Sequence, residues 1–186
     1  PHAWVVDLPY AKEASHSHGY TTVGYKYPKT SVGWYRKTLV IQPKDAGRRL
    51  SLQFDGIFRD SKVWANGFYL GSEPSGYLSH TYDVTDYIDQ TRLESGIPDT
   101  LRICVRADAT FEEGWFYEGA GIYRHAWLNI TEQLHFVPNG IVVNQKLSDD
   151  YQKATLTVSA EVEKGLLPTT DYALRIQLLQ KNGEGE

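Results

Sequence analysis

Apolar residues return at every second position along this chain, in short runs divided by turn sequences. Leu50, Leu52 and Phe54 share one face of an extended segment, and Leu101, Ile103 and Val105 alternate with Arg102, Cys104 and Arg106. Leu156, Val158, Ala160 and Val162 alternate with Thr155, Thr157, Ser159 and Glu161, and Tyr172, Leu174, Ile176 and Leu178 repeat the pattern. A period of two belongs to a strand with one buried face, and a helical period is almost absent. Asn66-Gly67 between Val63-Trp64-Ala65 and Phe68-Tyr69-Leu70 predicts a type I′ hairpin, which needs two residues tolerant of positive φ. Pro43-Lys44-Asp45-Ala46-Gly47 divides two further strands, and Asp83-Val84-Thr85-Asp86-Tyr87-Ile88 offers capping side chains for one short helical turn. Many short strands with polar turns predict an all-β antiparallel sandwich.

Composition narrows the function. Hydrophobic residues make up 41% and charged residues 23%, as in a globular domain. The net charge is −4 and no run of Lys or Arg exceeds a dipeptide such as Arg48-Arg49, so no basic stripe for nucleic acid is present. No apolar stretch approaches the ~20 residues of a membrane-spanning helix, and neither nucleic acid nor membrane is expected as a partner. Cys104 stands alone, so stability is expected from the core and not from an internal disulfide. The aromatic share is 13%, with five Trp and thirteen Tyr. Such density fits either flat rings stacked on pyranose faces or a packed sandwich core.

The chain opens on Pro1-His2-Ala3-Trp4, without a start Met or signal peptide, and closes on a turn sequence; both ends read as cut from something longer. A boundary is expected near Pro138-Asn139-Gly140. Before it the chain is rich in Trp, Tyr and Gly; after it there is no Trp. Residues 1–137 read as a nearly whole first domain and residues 138–186 as part of a second. The latter supplies about three or four strands, too few for the seven-stranded sandwich they suggest.

The segment from Leu52 through Phe54-Asp55-Gly56-Ile57 to Val63-Trp64-Ala65-Asn66-Gly67, continued by Gly71, Gly76-Tyr77 and Asp83-Val84-Thr85, resembles a family signature. It is similar to the sugar-binding jelly roll that opens family 2 glycoside hydrolases, the β-galactosidases, β-glucuronidases and β-mannosidases. Gly33-Trp34-Tyr35-Arg36-Lys37 resembles the family's strand entering the sandwich, and Gly119-Ala120-Gly121-Ile122-Tyr123-Arg124 with Ala126-Trp127-Leu128 resembles its Gly-Ile-Tyr-Arg strand. Pro1-His2-Ala3-Trp4 resembles the family's Leu-Pro-His-Asp-Trp, with Ala3 where Asp is usual. Residues 138–186 resemble the start of the immunoglobulin-like domain that follows. The wording of these motifs is nearest to bacterial β-galactosidases.

The resemblance implies a retaining glycosidase in which two Glu carboxylates, about 5 Å apart, act as acid/base and nucleophile. In the family both lie in a (β/α)₈ barrel downstream, the acid/base within an Asn-Glu dipeptide. This chain has no Asn-Glu dipeptide and no βα units, so no catalytic residue is assigned to it. Carbohydrate, the downstream barrel and a homo-oligomeric copy are the implied partners, and no cofactor or metal is expected. A bacterial periplasmic or secreted location is preferred to the cytoplasm.

The candidate substrate-binding residues are Trp115, Phe116, Tyr117 and Glu118, in a loop whose family counterpart approaches the active-site mouth. Rings stack on sugar C–H faces, and a carboxylate accepts from paired hydroxyls. Packing against the sandwich edge or the barrel is the alternative. Glu112 and Glu113 read as a solvated acidic turn, since adjacent residues of an extended segment point apart. His16-Ser17-His18 reads as a polar surface loop in preference to a metal site. Trp34, Trp64 and Trp127 read as core or interdomain packing, and Cys104 as a buried or half-buried thiol. Three functions remain open: the non-catalytic front of a family 2 glycosidase, a stand-alone carbohydrate-binding module or lectin, and a structural interaction domain.

Overall fold

A computed structural model of the chain describes residues 2–112, 114, 118–165 and 172–179. The chain divides into two compact units, Pro1–Gln133 and Leu134–Glu186.

The first unit is a β-sandwich of the jelly-roll kind. β1 (His2–Ala3) is followed by β2 (Val32–Ile41), β3 (Arg49–Phe54), β4 (Ser61–Ala65), β5 (Phe68–Glu73), β6 (His80–Asp83), β7 (Asp99–Asp108), β8 (Gly121–Ile122) and β9 (Ala126–Thr131). One sheet has the order β2-β7-β4-β5, the other β6-β3-β9, and β1 pairs with β8. Every pairing is antiparallel.

Alternation builds the core as expected. Leu50, Leu52 and Phe54 of β3 are buried and meet Ile41, Val63, Leu101 and Val105 of the facing sheet. Burying one such side chain stabilises the fold by roughly 1.5–3 kcal/mol. Ile57, Val84, Ile88 and Leu93 close the ends of this cluster. The β4–β5 turn has φ of 49° at Asn66 and 88° at Gly67, as a type I′ turn demands. Thr85–Tyr87 forms a short 3₁₀ turn, and Asp89 caps α1 (Gln90–Glu94) by accepting from the Arg92 amide at 3.1 Å.

A second, smaller apolar cluster lies where the N-terminal segment meets residues 109–123. Val5, Val23, Phe58, Ala109 and Ala120 are buried there, with Trp4 and Tyr123 against them. Phe58 and Gly121 exchange backbone hydrogen bonds at 2.8 and 2.7 Å. Gly121 has a φ of 117°, and a side chain there would collide with the Tyr35 hydroxyl and the His2 carbonyl. Only glycine fits this crossing, which fixes the segment running back to Glu118.

The second unit, among the described residues, is a hairpin of β10 (His135–Leu147) and β11 (Ala154–Glu163). Pro138-Asn139-Gly140 falls inside β10, where pairing with β11 is irregular between Phe136 and Ile141. Ile141 and Val142, which point to opposite faces, are both exposed in the hairpin. Residues 172–179, where alternation predicts a strand, adopt none.

Candidate functional site

The candidate segment leaves β7 at Asp108 and returns at β8. Its descent is tied by the Ala109 amide, which donates to the Ser31 carbonyl at 2.8 Å. Trp115, Phe116 and Tyr117 lie outside the described residues, as does Glu113. Glu118 is described and is 1% exposed. Its carboxylate faces the His18 ring, Oε2 to Nε2 at 3.5 Å, and so is turned toward protein in this chain.

The partner of that carboxylate sits on a loop pinched shut by a bridge between Tyr10 and Thr21. Gly19 and Tyr20 take positive φ, of 63° and 58°, which turns the loop inward. The Tyr20 amide donates to the Ser15 carbonyl at 3.0 Å, and the Thr21 hydroxyl to the His18 carbonyl at 2.7 Å. The expected polar surface loop is therefore corrected: Ser17 and His18 are fully buried, because the turn at Gly19-Tyr20 points them at the 114–118 segment. His16 stays exposed, so the two imidazoles do not converge. The His18 Nδ1 faces the Glu118 carbonyl oxygen at 3.3 Å. That oxygen only accepts, which places the hydrogen on Nδ1. Glu112 is half-buried, and its carboxylate lies where a side chain on Gly24 would stand, not in an open acidic turn.

Trp34, Trp64 and Trp127 stand outside the core. Trp34 stacks on Trp64 at 5.6 Å, and Trp64 meets Tyr69 at the same spacing on the outer face of the larger sheet. Arg36 lies over Trp34 at 5.9 Å. On the other sheet Trp127 donates through Nε1 to Asp55 at 2.9 Å and stacks on His125. The Trp127 and Gln53 hydrogen bonds hold the Asp55 carboxyl below its ordinary pKa, with His125 and Arg124 adding to the effect. Cys104 is half-buried on the outer face, in register with Trp64. A cavity of about 480 Å³ opens between the two sheets beside Tyr35, Phe54 and Trp127. Its lining includes inner-face side chains such as Leu52 and Val105, so it extends the core and offers little to fix a sugar.

Sequence reading missed Ser17 and His18 because their partner is about a hundred positions away, His18 being separated from Glu118 by 100 residues. Among the described residues no group of His, Cys, Asp and Glu is arranged to hold a metal, and no helix is long and apolar enough to cross a membrane.

The fold and this surface define the class of the first unit, an antiparallel jelly-roll sandwich with exposed aromatic side chains on its outer faces. The family profile described as "Glycosyl hydrolases family 2, sugar binding domain" matches residues 20–131. The chain belongs to glycoside hydrolase family 2. It is 34% identical over 152 residues to "Beta-galactosidase BoGH2A" of Bacteroides ovatus, a match covering 82% of this chain and 17% of that protein. It is 30% identical over 139 residues to "Beta-glucuronidase" of Bacteroides fragilis, covering 72% of this chain and 18% of that one. A solved family 2 member from Bacteroides cellulosilyticus superposes with a TM-score of 0.73 at 28% identity, over 89% of this chain and 20% of its own. The chain thus spans a fifth or less of these relatives and corresponds to their N-terminal, non-catalytic region. A stand-alone binding module is not favoured by relatives of that kind.

Proposed function

We propose that this region forms one wall of the active site of a retaining β-glycosidase of β-galactosidase type. The hydrolytic carboxylate pair belongs to a barrel carried elsewhere in the same protein. Trp115, Phe116 and Tyr117 are assigned to the sugar, and Glu118, whose carboxylate is buried against His18, serves this reading as the anchor of their segment. The aromatic residue types offer stacking surface for a sugar ring. The observation that carries this reading is the anchoring of Glu118, buried and bonded to a loop from the other end of the domain. The β-galactoside preference follows the match to a β-galactosidase. Residues 1–137 act as the sugar-binding domain and residues 138–186 open an immunoglobulin-like domain, consistent with a two-stranded hairpin that needs further strands to cover its apolar faces. A homo-oligomer is the expected assembly.

The test compares two proteins on nitrophenyl β-galactoside. The full-length enzyme should turn over and the purified 186-residue chain should not. Turnover by the chain beyond trace contamination would reject the reading.

A further inference from the structure

Ser17 is bonded to both ends of the 114–118 segment. Its hydroxyl donates to the Gly114 carbonyl at 3.1 Å, and its own carbonyl accepts from the Glu118 amide at 2.7 Å. His18, the next residue, faces the Glu118 carbonyl through Nδ1 and the Glu118 carboxylate through Nε2, at 3.3 and 3.5 Å. Ser17, His18 and Glu118 are each 2% exposed or less.

Folding alone does not account for this arrangement. Burying polar groups costs stability unless their partners are well placed, and apolar residues of like volume often replace a buried ionic pair with no loss. The main core is apolar throughout and lies elsewhere in the sandwich. The polar cluster instead joins two loops, and one of them carries the segment assigned to the substrate. The 10–21 loop is itself closed by the Tyr10–Thr21 bridge and turned inward at Gly19-Tyr20, so it presents Ser17 and His18 from a fixed base.

We propose that Ser17 and His18 are positioning residues, fixing the main chain at Gly114 and Glu118, the two ends of the segment assigned to the substrate. The proposal rests on the active-site-wall reading above. Neither residue touches substrate. Ser17 fixes the span between Gly114 and Glu118, and His18 fixes the orientation of Glu118 at the end of that span. A shift of about 1 Å in a positioning contact can cost on the order of a hundred-fold in rate, so a clamp of this kind is worth a buried polar cluster.

Two measurements test it. In the 186-residue chain, Ser17→Ala and His18→Leu should speed hydrogen exchange at the Glu118 amide about ten-fold or more while β2 and β7 amides keep wild-type rates. In the full-length enzyme, with turnover normalised to sites titrated by a covalent inhibitor, His18→Leu should lower kcat/KM for nitrophenyl β-galactoside about ten-fold. His18→Gln, which keeps a donor for the Glu118 carbonyl, should recover most of that loss. Combined with Trp115→Ala, the loss should be smaller than the product of the separate losses, because both changes act on one segment. Unchanged exchange at Glu118 would overturn the proposal. So would full activity of His18→Leu beside an impaired Trp115→Ala, a result that leaves the wall reading standing. Wild-type kinetics in Trp115→Ala would remove the wall reading and the positioning role together.

Discussion

Asn66 and Arg102 exchange a pair of hydrogen bonds across the turn of the β4–β5 hairpin. The Asn66 amide donates to the Arg102 carbonyl, and the Arg102 amide donates to the Asn66 side-chain oxygen, each at 2.8 Å. The Asn66 Nδ2 also donates to the carbonyls of Tyr87, at 2.7 Å, and Thr100, at 3.2 Å. A turn residue at positive φ thus fastens the hairpin to β7 and to the 3₁₀ turn beyond β6.

Asn66→Ala is expected to destabilise the first unit by about 2–4 kcal/mol. It removes three side-chain hydrogen bonds and leaves alanine at a φ it resists. Urea unfolding should show the loss as a lower midpoint.

Gly67→Val isolates the backbone term, because open space surrounds the position where its side chain would stand. A β-branched residue at a φ of 88° should cost about 1–3 kcal/mol. The melting temperature measures it; an unchanged value would exclude the type I′ geometry.

His80 is half-buried against Phe54, with rings 5.5 Å apart. Burial holds its imidazole below the ordinary pKa, and the Leu78 backbone and Glu73 carboxylate oppose this only in part. The unfolded chain, with His near 6.5, takes up a proton before the folded chain does. Stability is therefore full above about pH 6.5 and falls as pH drops through the window below it. Denaturation midpoints at pH 7.5 and 5.5 should differ in this direction, and His80→Gln should shrink the difference.

In the full-length enzyme, Trp115→Ala should lower kcat/KM by roughly 5–30-fold, the loss of one stacking contact. Free galactose should bind the 186-residue chain weakly or not at all, since one wall lacks the convergent polar groups that fix a sugar. Calorimetry on the chain and steady-state kinetics on the enzyme check the two halves.

The sandwich was readable in the sequence because its signals are local. Leu50, Leu52 and Phe54 carry their period within one strand, and Asn66-Gly67 encodes its turn in adjacent residues. Alternation groups residues by face but does not say which face meets the core. Trp34 shares its face with Arg36 and Thr38, both exposed, and that company marks the outer side. The run at Tyr172 keeps period two, yet residues 172–179 form no strand, so alternation alone does not make one. His18 was illegible for a different reason. Its burial depends on a contact with Glu118, 100 residues on, and nothing near His18 announces it.

The anchoring at Ser17 also bears on how such a segment can diversify. Ser17 bonds the main chain at both Gly114 and Glu118, so the two ends of this stretch are held at a set separation. Exchange of side chains leaves both bonds intact, since the bonds at those ends use main-chain atoms of Gly114 and Glu118. Under the proposed wall role, exchange of side chains at constant length changes the sugar-facing groups without touching either bond. Libraries built for altered specificity should randomise the three positions between those ends without changing their number.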